Sequence, residues 1–193
     1  MVLTDRQSEI IEKSIEIIGT KGIQGLTIKN LSKEIGISEP AIYRHFESKT
    51  HILITILDNF KEMASFMGAT MKDNDSPAMD KVEFMFSQII GIFSQTPSFI
   101  SVIFSEEIFR NELVLKEKII EIMDQNEKTI EQIISTGQAK GELRTDIDAK
   151  TLALIIMGTL RFRIKQWDLK DYKGNMTSEG ADLINNLKKI LSK

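Results

Sequence analysis

Seven closely spaced side chains, Ser38, Glu39, Pro40, Ala41, Tyr43, Arg44 and His45, follow a glycine at position 36 and lead into a short helical pattern. Between them they carry hydroxyls, a guanidinium, an imidazole and a carboxylate, groups that hydrogen-bond a polar surface. Other chemistries fall away type by type. The chain has no cysteine, so disulfides, thiolate metal sites and cysteine nucleophiles are excluded. His45 and His51 stand at i and i+6, on different faces of any helix, which argues against a shared metal ion. Neither has a glutamate three residues earlier, so no paired Glu-x-x-His segments for a di-iron bundle exist. Glu106 and Glu107 are adjacent and point in different directions. There is no glycine-rich phosphate loop and no Gly-x-Ser-x-Gly elbow. The expectation is a binding protein with no enzymatic activity, no cofactor and no metal.

The elements that must present those side chains are legible around them. A helix-turn-helix needs two short helices at a steep angle, a tight turn, and a second helix thin enough for the major groove of DNA. The run TIKNLSKEIGISEPAIYRHFESK supplies these parts in order. Ile28, Leu31 and Ile35 follow helical spacing, and Gly36 permits the turn. Ser38 is placed to cap the next helix, with Pro40 tolerated in its first turn. Ile37 and Ile42 occupy the positions of a hydrophobic staple. Together with Phe46, these apolar residues can fill a small core beneath the pair. Upstream, Thr4 and Gln7 make a capping box for a first helix that stops at Lys21-Gly22.

Helical periodicity continues through the rest of the chain, with no convincing alternating run. The pattern predicts helices over Ser48–Met71, from Pro77 to Ser94 or Gln95, over Ser98–Phe109, over Glu112–Ala139, from Asp146 or Asp148 to Trp167, and over Thr177–Leu191. Lys72–Ser76 reads as a polar turn. About nine helices in an all-α chain result. The N-terminus turns polar at once, and apolar stretches such as Leu152–Leu160 fall far short of the roughly 20 residues that span a bilayer. A cytoplasmic protein without membrane attachment is expected. Net charge is −3, and residues 1–50 carry seven basic and seven acidic side chains. Bulk charge therefore gives no basic footprint, and any case for nucleic acid rests on where individual cations point.

The opening of the chain, through Ser48-Lys49, resembles the DNA-binding domain of the TetR family. The landmarks are Lys21-Gly22, Thr27, Gly36-Ile37-Ser38, the run Ala41-Ile42-Tyr43-Arg44-His45-Phe46, and Ser48-Lys49. The rest matches loosely, in helix count and in Gly141-Glu142-Leu143-Arg144 followed by Asp146 and Asp148. The resemblance implies a three-helix DNA-binding domain over residues 1–47 and a larger helical ligand-binding and dimerisation domain over 48–193. It matches Thr27, Tyr43, His45 and Lys49 to phosphate-holding positions, and Ser38, Glu39, Pro40, Ala41 and Arg44 to positions facing base edges. The chemistry agrees, since hydroxyls and ammonium groups suit phosphates and Arg44 could fork onto a guanine. Glu39 departs from the small residue common there and would repel phosphates unless it meets a cytosine amino group.

The same resemblance implies a homodimer on a palindromic, double-stranded operator, with half-sites about 34 Å apart. Its four-helix interface would use Leu152, Ile155, Ile156, Gly158, Thr159 and Phe162 with Leu183, Ile184, Leu187, Ile190 and Leu191. Phe and Met adapt to irregular apolar ligands. The pocket candidates are therefore Phe60, Met63, Phe66, Met67, Phe84, Met85, Phe93, Phe99, Phe104, Met123 and Trp167. The implied function is a transcriptional regulator, a repressor released by a small apolar effector, with the Lys49–Met71 helix as lever. An alternative keeps the fold and changes the task, because SEPAIYRHFESKT also resembles TetR-like adaptors of the nucleoid-occlusion type, which recruit a protein without a small-molecule switch.

Overall fold

The computed structural model describes residues 3–72, 75–105 and 112–192. Among the described residues there are nine helices and no strand. The expected all-α class holds, a three-helix helix-turn-helix followed by a larger helical part. The helices are α1 (Asp5–Gly25), α2 (Ile28–Ile35), α3 (Glu39–Tyr43), α4 (Lys49–Lys72), α5 (Ala78–Gln95), α6 (Ser98–Ile103), α7 (Leu113–Ala139), α8 (Ala149–Leu169) and α9 (Met176–Leu191). The expected end of the sixth helix at Phe109, the Glu106-Glu107 pair and part of the 72–76 turn lie outside the described residues. The chain divides into two compact units, one of Met1–Met63 with Pro97–Glu121, the other of Ala64–Thr96 with Ile122–Lys193. The boundary passes within α4 and within α7.

In the first unit, α1 opens with the expected reciprocal capping box between Thr4 and Gln7. Ile10, Ile15 and Ile18 are buried along its inner face. The helix does not stop at Gly22. That glycine takes φ 67 and ψ 177, breaking the helical run, and the chain then winds on to Gly25. Against α1 lies α6, so close that a Cβ on Gly19 would collide with the side chain of Ser98. Leu26, Leu31, Ile42, Phe46 and Ile52 are each 1% exposed or less and form the core under α2 and α3. Ile28, Ile35 and Ile37, expected in the same core, are half-buried at its rim. Lys118–Asp58 and Lys61–Glu121 ion pairs, at 2.5 and 2.6 Å, join α7 to α4 within this unit.

In the second unit, α9 packs against α5 at a close approach that depends on Gly180, where a Cβ would strike Ile90. Lys188 bridges the same pair of helices, meeting Glu83 and, at 3.7 Å, Asp80. Asp148 caps α8 by accepting from the Thr151 N–H at 2.9 Å, and Asn175 caps α9 through Ser178. The corner between α7 and α8 is held by polar clamps. Gln138 Nε2 donates to the carbonyls of both Arg144 and Ile147, while Arg144 forks onto Asp146 and reaches the Ile190 carbonyl. No helix among the described residues is long and apolar enough to cross a membrane.

Candidate nucleic-acid interface

Three local features place the reading helix. Thr27 caps α2, its Oγ1 accepting from the Asn30 N–H at 3.1 Å. Gly36 closes α2 in the left-handed region at φ 77, and the backbone N–H groups of Gly36 and Ile37 both donate to the Ser32 carbonyl at 3.0 Å. Glycine suits that φ because it has no Cβ to clash with the following carbonyl. α3 then runs only from Glu39 to Tyr43. Ser38 stands at the N-cap position, but its hydroxyl makes no capping bond, which corrects the sequence expectation. Pro40 lies in the first turn, where its missing N–H costs nothing.

Burial sorts the side chains of α3 and of the residues that flank it into two faces. Ile42 and Phe46, at 0% and 1% exposure, point into the core. Ser38, Glu39, Pro40, Tyr43 and Arg44 are exposed, and Ala41 and His45 are half-buried. The expected reading residues thus share one outward surface of the first unit. The Arg44 guanidinium has no hydrogen-bond or ion-pair partner among the described residues. Thr27 is exposed with its hydroxyl proton still available to an acceptor, because the cap uses only the oxygen. Lys49 differs. Its half-buried ammonium donates to the Ile23 carbonyl at 2.9 Å. His51 is turned to local work, with Nδ1 accepting from the Glu47 N–H at 3.3 Å and its ring edge-on to Phe46. Among the described residues, no group of three or more metal-ligating side chains comes together.

The expected dimer residues are split by burial. Leu152, Ile156, Ile184, Leu187 and Leu191, expected at a dimer interface, are at most 3% exposed and pack in the core of their own unit. Ile155, Phe162 and Ile190 are exposed, Gly158 lies open beside them, and Thr159 and Leu183 are half-buried. Two outward residues were missed, Leu154 and Leu169, at 61% and 73% exposure. The signal was present, since positions 154, 158 and 162 repeat at i+4 and 155, 162 and 169 at i+7.

Of the pocket candidates, Phe60, Met63, Phe99 and Phe104 belong to the first unit; Phe66, Met67, Phe84, Met85, Phe93, Met123 and Trp167 belong to the second. Phe66 and Met123 are exposed, whereas Phe93 and Trp167 are buried. The second unit does carry a cleft of about 720 Å³, with Ser65, Gly68, Gln125, Lys128, Thr129 and Lys140 among its lining residues. None of the pocket candidates lines it.

A short outward helix on an apolar footing, preceded by a glycine turn and a capped supporting helix, makes this a helix-turn-helix protein. Residues 10–56 match the model of the bacterial regulatory proteins of the tetR family, and residues 58–189 match that of the YsiA-like C-terminal region. The chain belongs to the tetR family and is a DNA-binding transcription regulator. Members of the family bind DNA and act as dimers. Among curated relatives, the fatty acid metabolism regulator protein of Bacillus subtilis is 24% identical over 173 residues, 88% of this chain and 87% of the relative. The nucleoid occlusion factor SlmA of Vibrio campbellii is 22% identical over 177 residues, 91% of this chain and 90% of the relative. Among solved structures, the transcriptional regulator FadR from Bacillus subtilis in complex with stearoyl-CoA shares the fold at a TM-score of 0.80, with 21% identity, over 93% of this chain and 96% of that one.

Proposed function

We propose that the chain is a repressor that binds a palindromic operator as a homodimer and is released by a fatty-acyl effector. The observation that carries the DNA-reading part is the outward surface of α3 and its C-cap, where Arg44 has no hydrogen-bond or ion-pair partner among the described residues and Ile42 and Phe46 anchor the helix from below. In this reading Ser38, Pro40, Ala41 and Arg44 face base edges, Thr27, Tyr43 and His45 hold phosphates, and Glu39 selects a cytosine amino group. Two copies pair through the outward stripe of α8, centred on Leu154, Gly158 and Phe162. Pairing repeats the reader at the spacing of successive major grooves, about 34 Å. The chain acts by binding and not by turnover.

Support for the effector class comes from the comparisons: a relative from Bacillus subtilis is named a fatty acid metabolism regulator, and FadR from Bacillus subtilis was solved in complex with stearoyl-CoA. The effector acts by differential affinity. A ligand that prefers the form with badly spaced readers weakens DNA binding by that preference, and one with equal affinity for both forms shifts nothing. Selection of fragments from a random duplex pool, followed by titration of the complex with long-chain acyl thioesters, tests both parts. Recovery of an inverted repeat, and its release by micromolar acyl thioester but not by free coenzyme A, is the expected result.

A second reading is favoured by the match to the nucleoid occlusion factor over 91% of this chain. There the protein stays on DNA and recruits a protein partner. Complexes indifferent to every acyl thioester, with few and scattered genomic sites, would decide for it.

A further inference from the structure

We propose that Asn186 sets the register of the homodimer, its carboxamide meeting Asn186 of the partner subunit across the two-fold axis. The proposal rests on copies pairing through the outward stripe of α8, and it names what fixes their alignment.

Within the second unit α8 and α9 run antiparallel. Arg163 of α8 meets Glu179 of α9 at 3.2 Å. At the other end the Arg144 N–H, shortly before α8, donates to the Leu191 carbonyl at 3.0 Å. α9 buries Met176, Gly180, Ile184, Leu187 and Leu191 in its own unit. One stripe of its remaining surface lies beside α8, since it begins at Glu179 and continues at helical spacing through Leu183, Asn186 and Ile190. Leu183 is half-buried and Ile190 is exposed. Two turns along from the Arg163–Glu179 pair, Asn186 comes level with Ile155, which is exposed as well. Asn186 is thus an exposed amide among aliphatic side chains, continuous with the patch through which the copies pair. Its side chain has no hydrogen-bond partner among the described residues. Asp182, Asn185 and Lys189 are also exposed but fall off this stripe.

An apolar seam drives association without fixing alignment, because hydrophobic attraction is non-directional. Leu154, Ile155, Gly158 and Phe162 offer no side-chain hydrogen bond, and the Thr159 hydroxyl beside them donates to the Ile156 carbonyl at 2.9 Å. A single polar residue in such a seam costs stability and selects the one alignment in which it is paired, as a lone asparagine does in a coiled coil. Contacts in a two-fold dimer are isologous, so a residue beside the axis meets its own copy. Asparagine suits that place. Its carboxamide both donates and accepts, and so answers an identical group, as neither aspartate nor lysine can.

The test uses charged variants of the full chain. Asn186→Asp and Asn186→Lys each set like charges face to face in a self-paired dimer, and opposite charges in a mixed one. Sedimentation is followed down a dilution series, with circular dichroism checking that each variant is folded. Either variant alone should dissociate at a concentration about a hundredfold above the parent's, the effect expected of apposed like charges. An equimolar mixture should regain parental association as a heterodimer, which a damaged helix would not. Asn185→Asp, off the stripe, should sediment like the parent. Asn186→Leu should associate as tightly as the parent yet lose affinity for the inverted repeat, because slipped dimers space the readers wrongly. Parental dissociation of Asn186→Asp overturns the proposal. So does a mixture that fails to pair, an equal loss from Asn185→Asp, or full operator affinity in Asn186→Leu. If one charged variant does not fold, dissociation of the other decides alone. Phe162→Glu keeps the underlying reading separate. A dimeric Phe162→Glu protein takes α8 out of the interface, whereas monomeric Phe162→Glu beside dimeric Asn186→Asp removes Asn186 only.

Discussion

Glu142, in the turn after α7, accepts a hydrogen bond from the backbone N–H of Ala78 at 2.7 Å. Ala78 opens α5, and Pro77 before it supplies no side-chain cap. A carboxylate 64 residues along the chain therefore does what an N-cap side chain usually does, and its charge also suits the positive end of the helix. Replacing Glu142 with alanine should destabilise the protein by about 1 kcal/mol, while glutamine, which retains an acceptor oxygen, should lose less. Urea unfolding of the two variants checks this, and equal midpoints for alanine and parent would refute the remote cap.

Arg44 and Tyr43 share the exposed surface of α3 but should fail differently. Arg44→Ala should relax preference at one base position by about 1–3 kcal/mol, as loss of a forked contact to guanine would. Tyr43→Phe removes only the hydroxyl proposed to hold a phosphate and should weaken binding by a similar factor on every sequence. Affinities for a panel of single-base operator variants separate the two patterns. Uniform loss for Arg44→Ala would take it out of base reading.

On α8, neighbouring apolar side chains should report different things. Phe162 is 65% exposed, so Phe162→Glu should leave the monomer folded and shift sedimentation from dimer to monomer. Ile156 is fully buried; Ile156→Ala should keep the dimer and cost about 2–5 kcal/mol of stability through the cavity it leaves. A Phe162→Glu protein that sediments as a dimer would move the interface elsewhere.

Acid should loosen the second unit through its caps and corner. The hydroxyl and backbone N–H of Thr151 hold the Asp148 carboxyl below the ordinary aspartate value, and Arg144 does the same for Asp146. A carboxylate whose folded pKa is depressed contributes stability that is complete above the unfolded value and is lost as pH falls through the folded one. Stability should therefore be flat near neutrality and decline below the ordinary aspartate range. Asp148→Asn keeps an acceptor for the cap without titrating, so its unfolding midpoint should depend less on pH in that range.

Most of the helical architecture was legible because its signals are local. Thr4 with Gln7, Thr27, Gly36 and Asp148 each act within a few residues, and each does what its type suggests. Which side of the segment around α3 faces out was legible for the same reason, with Ile42 and Phe46 four apart on the buried side. What could not be read depends on partners distant in sequence. Nothing near Lys49 announces the Ile23 carbonyl, and nothing near Glu142 announces Ala78. The outer face of α8 was half seen. A helix with apolar residues on both sides does not say which side its own chain will cover; Leu152 and Ile156, expected at a dimer interface, lie in the core of their own unit, and Leu154, which was not singled out, is exposed.

The brevity of α3 has a consequence for genetics. A recognition element of five residues has almost no rigidity of its own and borrows it from Ile42 and Phe46 beneath. Screens for loss of repression should accordingly recover lesions at these hidden positions as readily as at Arg44. The two kinds will look alike in any assay of gene expression and will part company only when the amount of folded protein is counted.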